Sequence, residues 1–161
     1  MKILNFASSK TGTIPLKAIA VGWLLLSLVG FVDAAYLTIE HFRGDGLVCG
    51  PFWDCDVVTT SKYSEIGGIP LALSGALYYL VIFLLTVAYF DTKKDRLLLI
   101  IAPLTVFGFL ASLFLVYLQV FVIHALCFYC MISALTSTGL FAFAVIYIRK
   151  RSQANNTDQG V

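Results

Sequence analysis

The chain has 161 residues, of which 60% are hydrophobic and only 12% charged, with a net charge of +2 and a mean hydropathy of +0.91. A soluble globular chain carries about 25% charged residues, so this composition excludes an ordinary water-soluble domain. The length suits one domain, and so small a net charge offers no electrostatic footprint for nucleic acid.

In chain order, residues 1–15 read as a short basic cytoplasmic tail, followed by a membrane domain over 16–148. Crossing a hydrocarbon core takes about 20 apolar residues as a helix, and four stretches qualify: about 16–40, 70–90, 97–123 and 127–148. Within the first span, Val32-Asp33-Ala34-Ala35 resembles a signal-peptide cleavage region. Apolar residues continue through Tyr36, Leu37 and Ile39, however, so the segment exceeds a typical signal core. Residues 149–161 end in a polar stretch without periodicity and read as a disordered cytoplasmic tail. No soluble domain is expected at either end.

Lys2, Lys10 and Lys17 accompany the start of the first span, Lys93, Lys94 and Arg96 separate the second from the third, and Arg149, Lys150 and Arg151 follow the fourth. Only Arg43 and Lys62 fall on the opposite side. Basic residues mark the cytoplasmic face, so both termini are expected inside and the loop over 43–69 outside. Short connections between the spans predict an all-α integral membrane protein, a four-transmembrane-helix bundle. The second and third spans should be antiparallel neighbours.

The outer loop carries Gly44, Gly46, Gly50 and Pro51 as turn formers. The stretch from Asp56 to Tyr63 suits a short helix capped by Asp54 or Asp56. Phe52, Trp53, Val57, Val58 and Tyr63 are apolar enough for the membrane interface. Gly67-Gly68-Ile69-Pro70 then breaks the chain, with Pro70 tolerated in the first turn of the second span. Small residues in the first two spans (Gly22, Ser27, Gly30, Ala34, Ala35, Gly75, Ala76) allow close helix packing.

All four cysteines fall at one membrane edge under this topology. Cys127 and Cys130 are three residues apart, so on a helix they share a face. With the fourth span starting near Cys127, its sulfur sits at the positive end of the helix dipole, which favours the reactive thiolate. Cys130 lies one turn deeper. Cys49 and Cys55 occupy the outer loop, where an oxidising compartment favours a disulfide. Thiol–disulfide exchange between the pairs would carry electrons from a soluble dithiol through Cys49–Cys55 to Cys127–Cys130, and on to a lipid-soluble acceptor such as quinone. No metal is needed. The alternatives are a disulfide that merely staples the loop, a four-cysteine zinc site, and free thiols used as small apolar side chains.

The ordered set of motifs resembles the vitamin K epoxide reductase family. The resemblance rests on the outer-loop Cys49 and Cys55, then Val57-Val58-Thr59-Thr60-Ser61, then Gly68-Ile69-Pro70-Leu71-Ala72-Leu73-Ser74-Gly75, and lastly Cys127-Phe-Tyr-Cys130. It spans about Leu16 to Ile148. It implies a bundle around a quinone, the loop pair as shuttle and Cys127–Cys130 as the active pair. Cys49 would exchange with the partner and Cys55 would form a transient disulfide with Cys127. Cys130 and Ser61 would contact the quinone (ubiquinone or menaquinone), with Ser61 tied to the catalytic step. Vertebrate members hold a naphthoquinone with an Asn and a Tyr where this chain has Leu71 and Ala134. That difference implies the bacterial branch, which oxidises a thioredoxin-like protein, here a separate soluble one, and so supports disulfide formation in exported proteins. The implied location is a bacterial inner membrane. Reduction of vitamin K quinone or epoxide is the alternative within the family, and a non-catalytic scaffold the alternative outside it. The Dsb-type quinone reductase, also with four spans, has its Cys-x-x-Cys in the first outer loop, the reverse of the order here.

Asp33 is an ionisable residue within a span, which marks it for function, although Tyr36 or water would satisfy it. His41 and His124 lie near the outer surface, where each could serve proton transfer or be a passive interfacial side chain. Phe107, Phe114, Tyr117, Phe128 and Tyr129 could line a quinone site, with packing between or around the helices as the alternative.

Overall fold

The computed structural model describes residues 16–44, 47, 49 and 53–158, with side chains through residue 153. The expected tail over 1–15 and the turn formers Gly46, Gly50 and Pro51, with Phe52, lie outside the described residues.

Helix α1 runs over Leu16–Arg43, the short α2 over Cys55–Thr59, a two-residue hairpin pairs β1 (Glu65–Ile66) with β2 (Ile69–Pro70), and α3 covers Leu71–Thr92. Helix α4 covers Asp95–Tyr117 and passes into a π-helical stretch, Leu118–Ile123, before α5 begins at Phe128. Four of these helices are long and apolar enough to cross a membrane. Their outward surfaces carry Leu25, Phe107, Leu110 and Leu135, all more than half exposed. So much continuous apolar surface has no place in water and fits lipid contact. The chain is an integral membrane protein of helical-bundle class.

Helix α5 runs on to Asp158, so the polar stretch after Ile148, expected to be disordered, continues as helix that far. The loop helix is shorter than its sequence suggests: it stops at Thr59, Ser61 lies beyond it, and Asp54 stands at its N-cap without a side-chain capping bond. Pro70 also sits one position earlier than expected, at the N-cap of α3 with non-helical dihedrals. Its lack of an N–H is harmless there, because no helical bond is due. Gly67 and Gly68 have φ of +61° and +81°, the paired positive values that a tight two-residue hairpin turn demands. The hairpin delivers the chain to α3, with Leu71 N–H donating to Ser64 O at 2.8 Å.

Helix α1 packs along α3 and α5, and α4 along α5 and α3. Trp23, fully buried, donates its indole N–H to Leu140 O at 3.0 Å and meets the Tyr147 ring edge-on. Tyr79 packs its ring on Gly30, where a Cβ would meet Tyr79 Cδ1 and Cζ at 2.6 Å. Gly22 makes the same allowance for Phe143. Small residues thus set the approach distance between helices, as membrane packing requires. Thr38, Thr86 and Thr105 return their hydroxyls to carbonyls of their own helix, which satisfies them without a partner helix.

A second, smaller core sits at one end of the bundle. It contains Leu37, Leu47, Cys55, Val58, Ala125 and Cys127, with Cys49, Trp53 and Cys130 packed against it.

Candidate active site

Cys49 and Cys55 form a disulfide, with Cα atoms 5.9 Å apart. Cys127 and Cys130 are free thiols in this structure. Sequence reasoning allowed all four to lie at one end, and the fold brings them together: the sulfurs of Cys49, Cys55 and Cys127 all lie within 4.8 Å of one another. A new S–S bond needs about 2.05 Å, a gap that a modest side-chain movement closes. Such a trio also has the residue types of a metal site, but two of its sulfurs are spent in a disulfide, and thiolates are what zinc requires.

The backbone explains this proximity. Asp54, immediately before Cys55, donates its N–H to the carbonyl of Leu126, immediately before Cys127, at 3.0 Å. That bond clasps the two cysteine-bearing segments side by side. Trp53 adds an edge-on contact with Phe128.

Cys127 stands just ahead of α5, and its carbonyl accepts the Met131 N–H at 3.1 Å. It therefore takes the N-cap position. An N-cap side chain normally accepts a backbone N–H from the first turn, and here the Cys127 sulfur does so, from Cys130 N–H at 3.4 Å. The thiol is held below the ordinary thiol range. The Cys130 thiol hydrogen-bonded to it is the largest cause, joined by the N–H groups of Cys130 and Tyr129; burial and the Asp33 carboxylate push the other way. Cys127 is fully buried and Cys55 1% exposed, whereas Cys49 is only partly buried. Of the three clustered sulfurs, two thus belong to buried residues and the third to one that keeps some exposure.

Next to Cys130 is a cavity of about 140 Å³. Its walls are mostly apolar, with Leu71, Ala72, Val116 and Ala134 among them, and Ser61, Gln119 and Ser133 add polar groups. An apolar hollow with a few polar groups is what a hydrophobic ring ligand fits. Leu71 and Ala134 do line it, and neither brings a hydrogen-bonding side chain. The aromatic candidates do not: Phe107, Phe114 and Tyr117 are more than half exposed on the bundle surface, and Phe128 and Tyr129 pack with Trp53 and Tyr36. Ser61 donates its hydroxyl to Val58 O at 2.8 Å, a local bond, while its residue borders the cavity.

Of the other residues singled out, Asp33 is 9% exposed, and its Oδ2 has no hydrogen-bond partner among the described residues. Tyr36, a possible partner, packs its ring on Tyr129 instead. His41 pairs with Glu65 at 2.9 Å, tying the end of α1 to the hairpin. His124 adopts a left-handed conformation (φ 56°) that ends the π-helical stretch. Sequence reasoning missed Gln119, whose Oε1 accepts the Cys127 N–H at 3.0 Å. The signal was present, because Gln119 is the one amide in the apolar run Leu113–Ile123.

No curated protein matches the chain at a significant level. A family model described as the vitamin K epoxide reductase family matches residues 22–145. The matched segment includes both cysteine pairs, the loop between the first two spans and most of the bundle. With that match over a four-helix membrane bundle and a cluster of cysteines at one end of it, the chain belongs to the vitamin K epoxide reductase family, membrane oxidoreductases of the thiol–disulfide kind.

Proposed function

We propose that this protein oxidises the dithiol of a soluble thioredoxin-like partner and passes the two electrons to a membrane quinone, supporting disulfide formation in exported proteins. The observation that carries the proposal is the cluster of three sulfurs within 4.8 Å, with the fourth cysteine on the wall of an apolar cavity.

The exposure order supports the roles. Cys49, the partly exposed member of the loop pair, meets the partner thiolate, and its bond to Cys55 breaks as the mixed disulfide forms. Resolution of that disulfide by the second partner thiol leaves Cys49 and Cys55 reduced and the partner oxidised. Cys55, buried against Cys127, then attacks the oxidised Cys127–Cys130 pair; Cys49 resolves the Cys55–Cys127 bond and the loop disulfide returns. The loop disulfide with free Cys127 and Cys130 is the state that follows this step. A quinone supplies a two-electron, two-proton acceptor, and the cavity beside Cys130 has the apolar character to hold its ring. Overall, dithiol and quinone become disulfide and quinol. Distribution of the basic residues supports both termini in the cytoplasm of a bacterial inner membrane, with the cysteines on the opposite face.

The apolar Leu71 and Ala134 on the cavity wall favour this reading over reduction of vitamin K epoxide, since neither can hydrogen-bond a naphthoquinone oxygen. The test is anaerobic. Purified protein, a reduced thioredoxin-like partner and a soluble quinone analogue are mixed, and quinone absorbance is followed with Cys130→Ser as control. Absorbance loss that needs both partner thiols and Cys130 is expected. No loss with several quinones and partners would favour a stapled scaffold instead.

A further inference from the structure

The geometry points to Gln119 as the residue that positions Cys127 between the loop disulfide and Cys130. This rests on reading Cys127 as the exchanging thiol. Gln119 is 3% exposed in an otherwise apolar run. A buried amide must hydrogen-bond or destabilise the fold, and Gln119 spends its acceptor on one atom, the N–H of Cys127. Its own backbone carbonyl accepts N–H bonds from His124 and, at 3.1 Å, from Ala125. One residue therefore holds three amides of the turn that carries Cys127.

The π-helical stretch makes this possible. A residue added to a helical turn rotates the chain beyond it by about 100° relative to an unbroken α-helix, and such widened turns occur often at functional sites. Here the widened turn opens at Leu118, next to Gln119, and closes at the left-handed His124. Cys127 thus has its N–H fixed by Gln119 and its carbonyl by Met131. Its segment is fixed by the Asp54–Leu126 clasp. With its backbone held on all three sides, the sulfur is aimed jointly at the loop pair and at Cys130. Gln119 also borders the cavity, so it links the thiol and the acceptor space.

Two substitutions test this in the full chain. Gln119→Leu removes the acceptor, and Gln119→Glu keeps an oxygen at the same reach to accept the Cys127 N–H. The groups that bear electrostatically on Cys127 are Cys130 from α5 and Asp33 from α1; among the described residues α4 and the π-helical stretch face it with the neutral Gln119. The first readout is formation of the Cys55–Cys127 disulfide in a Cys130→Ser background, followed by non-reducing gel and mass spectrometry. Loss of a buried hydrogen bond predicts trapping slowed about tenfold in Gln119→Leu. The second readout is thiolate absorbance of Cys127 against pH, taken as the difference from Cys127→Ser. In Gln119→Leu this titration moves to higher pH, because the sulfur loses its place at the Cys130 N–H, while Gln119→Glu, which keeps the acceptor, restores the wild-type trapping rate; a merely structural role predicts no such rescue.

Wild-type trapping rates in Gln119→Leu, or trapping as slow in Gln119→Glu as in Gln119→Leu, overturn the positioning role. Should Gln119→Leu fail to fold, the Gln119→Glu trapping rate still decides, with a wild-type rate expected and a tenfold loss overturning the role. Absence of Cys55–Cys127 even in the Cys130→Ser parent would instead overturn the exchange reading beneath the proposal, and the titration would judge the hydrogen bond by itself.

Discussion

Tyr79 offers a direct comparison of packing against hydrogen bonding in holding the bundle beneath Cys130. Its ring fills the space left by Gly30 on α1. Its hydroxyl donates to Ser133 O at 2.7 Å, and lies 3.1 and 3.0 Å from the Ser133 and Thr136 hydroxyls. Ser133 is one turn past Cys130. In Gly30→Ala the new methyl lands inside the ring's contact distance, and because Tyr79 is only 2% exposed the ring has nowhere to go. Overpacking of this kind destabilises by about 1–3 kcal/mol. Tyr79→Phe removes only the hydroxyl. Interhelical hydrogen bonds in membranes average about 0.6 kcal/mol, and Ser133 O keeps a second donor in the Thr136 hydroxyl at 2.8 Å, so a cost near that average is expected. Equilibrium unfolding in mixed micelles should therefore rank Gly30→Ala as the more destabilised. The double variant Gly30→Ala with Tyr79→Leu should be milder than the sum of its parts, because the two share one contact. A neutral Gly30→Ala, or a Tyr79→Phe that costs more, would refute packing as the larger of the two contributions.

Three further outcomes are expected. Because the Asp33 carboxylate pushes the Cys127 thiol up, Asp33→Asn should move the Cys127 thiolate titration to lower pH; an upward shift would show the carboxyl acting otherwise. Trp23→Phe loses the indole bond to Leu140 O and leaves part of a fully buried site empty, so it should destabilise by about 1–3 kcal/mol, read by the same unfolding assay, with no change in Cys55–Cys127 trapping. Ser61→Ala gives up only a local bond to Val58 O, so stability should hold within about 0.5 kcal/mol. Its KM for a quinone analogue should rise while trapping is unchanged, and an unchanged KM would remove Ser61 from the acceptor site.

The membrane spans were legible because uniform hydrophobicity over some 20 residues is a length signal that needs no knowledge of neighbours. The same uniformity hid which faces meet. Nothing in the pattern marks Tyr79 as the occupant of the Gly30 gap, or Trp23 as a donor to Leu140. The cysteines were legible as two pairs, and Cys49–Cys55 is bonded. Cys127 at the N-cap differs by one position from a helix beginning on it, a small shift that nonetheless turns its sulfur into the cap. The π-helical stretch was not legible, since an extra residue in a turn leaves no compositional trace. Gln119 was the available clue: an amide in a hydrocarbon-length run demands a partner, and no residue within its own turn explains it. The helix past Ile148 was missed because polar composition argues against burial, whereas an extension of an existing helix needs no burial and avoids the cost of nucleation.

The bond between Asp54 N–H and Leu126 O lies inside the loop that the Cys49–Cys55 disulfide closes, but it is made by backbone atoms alone and involves neither sulfur. In the proposed exchange this bond would keep Cys55 beside Cys127 once the loop disulfide opens. The encounter of two thiols far apart in sequence becomes an intramolecular event, and well-oriented groups held in this way reach effective concentrations of about 10⁵ M or more. The entropy of bringing them together is met once, when the bundle folds, and not at each turnover.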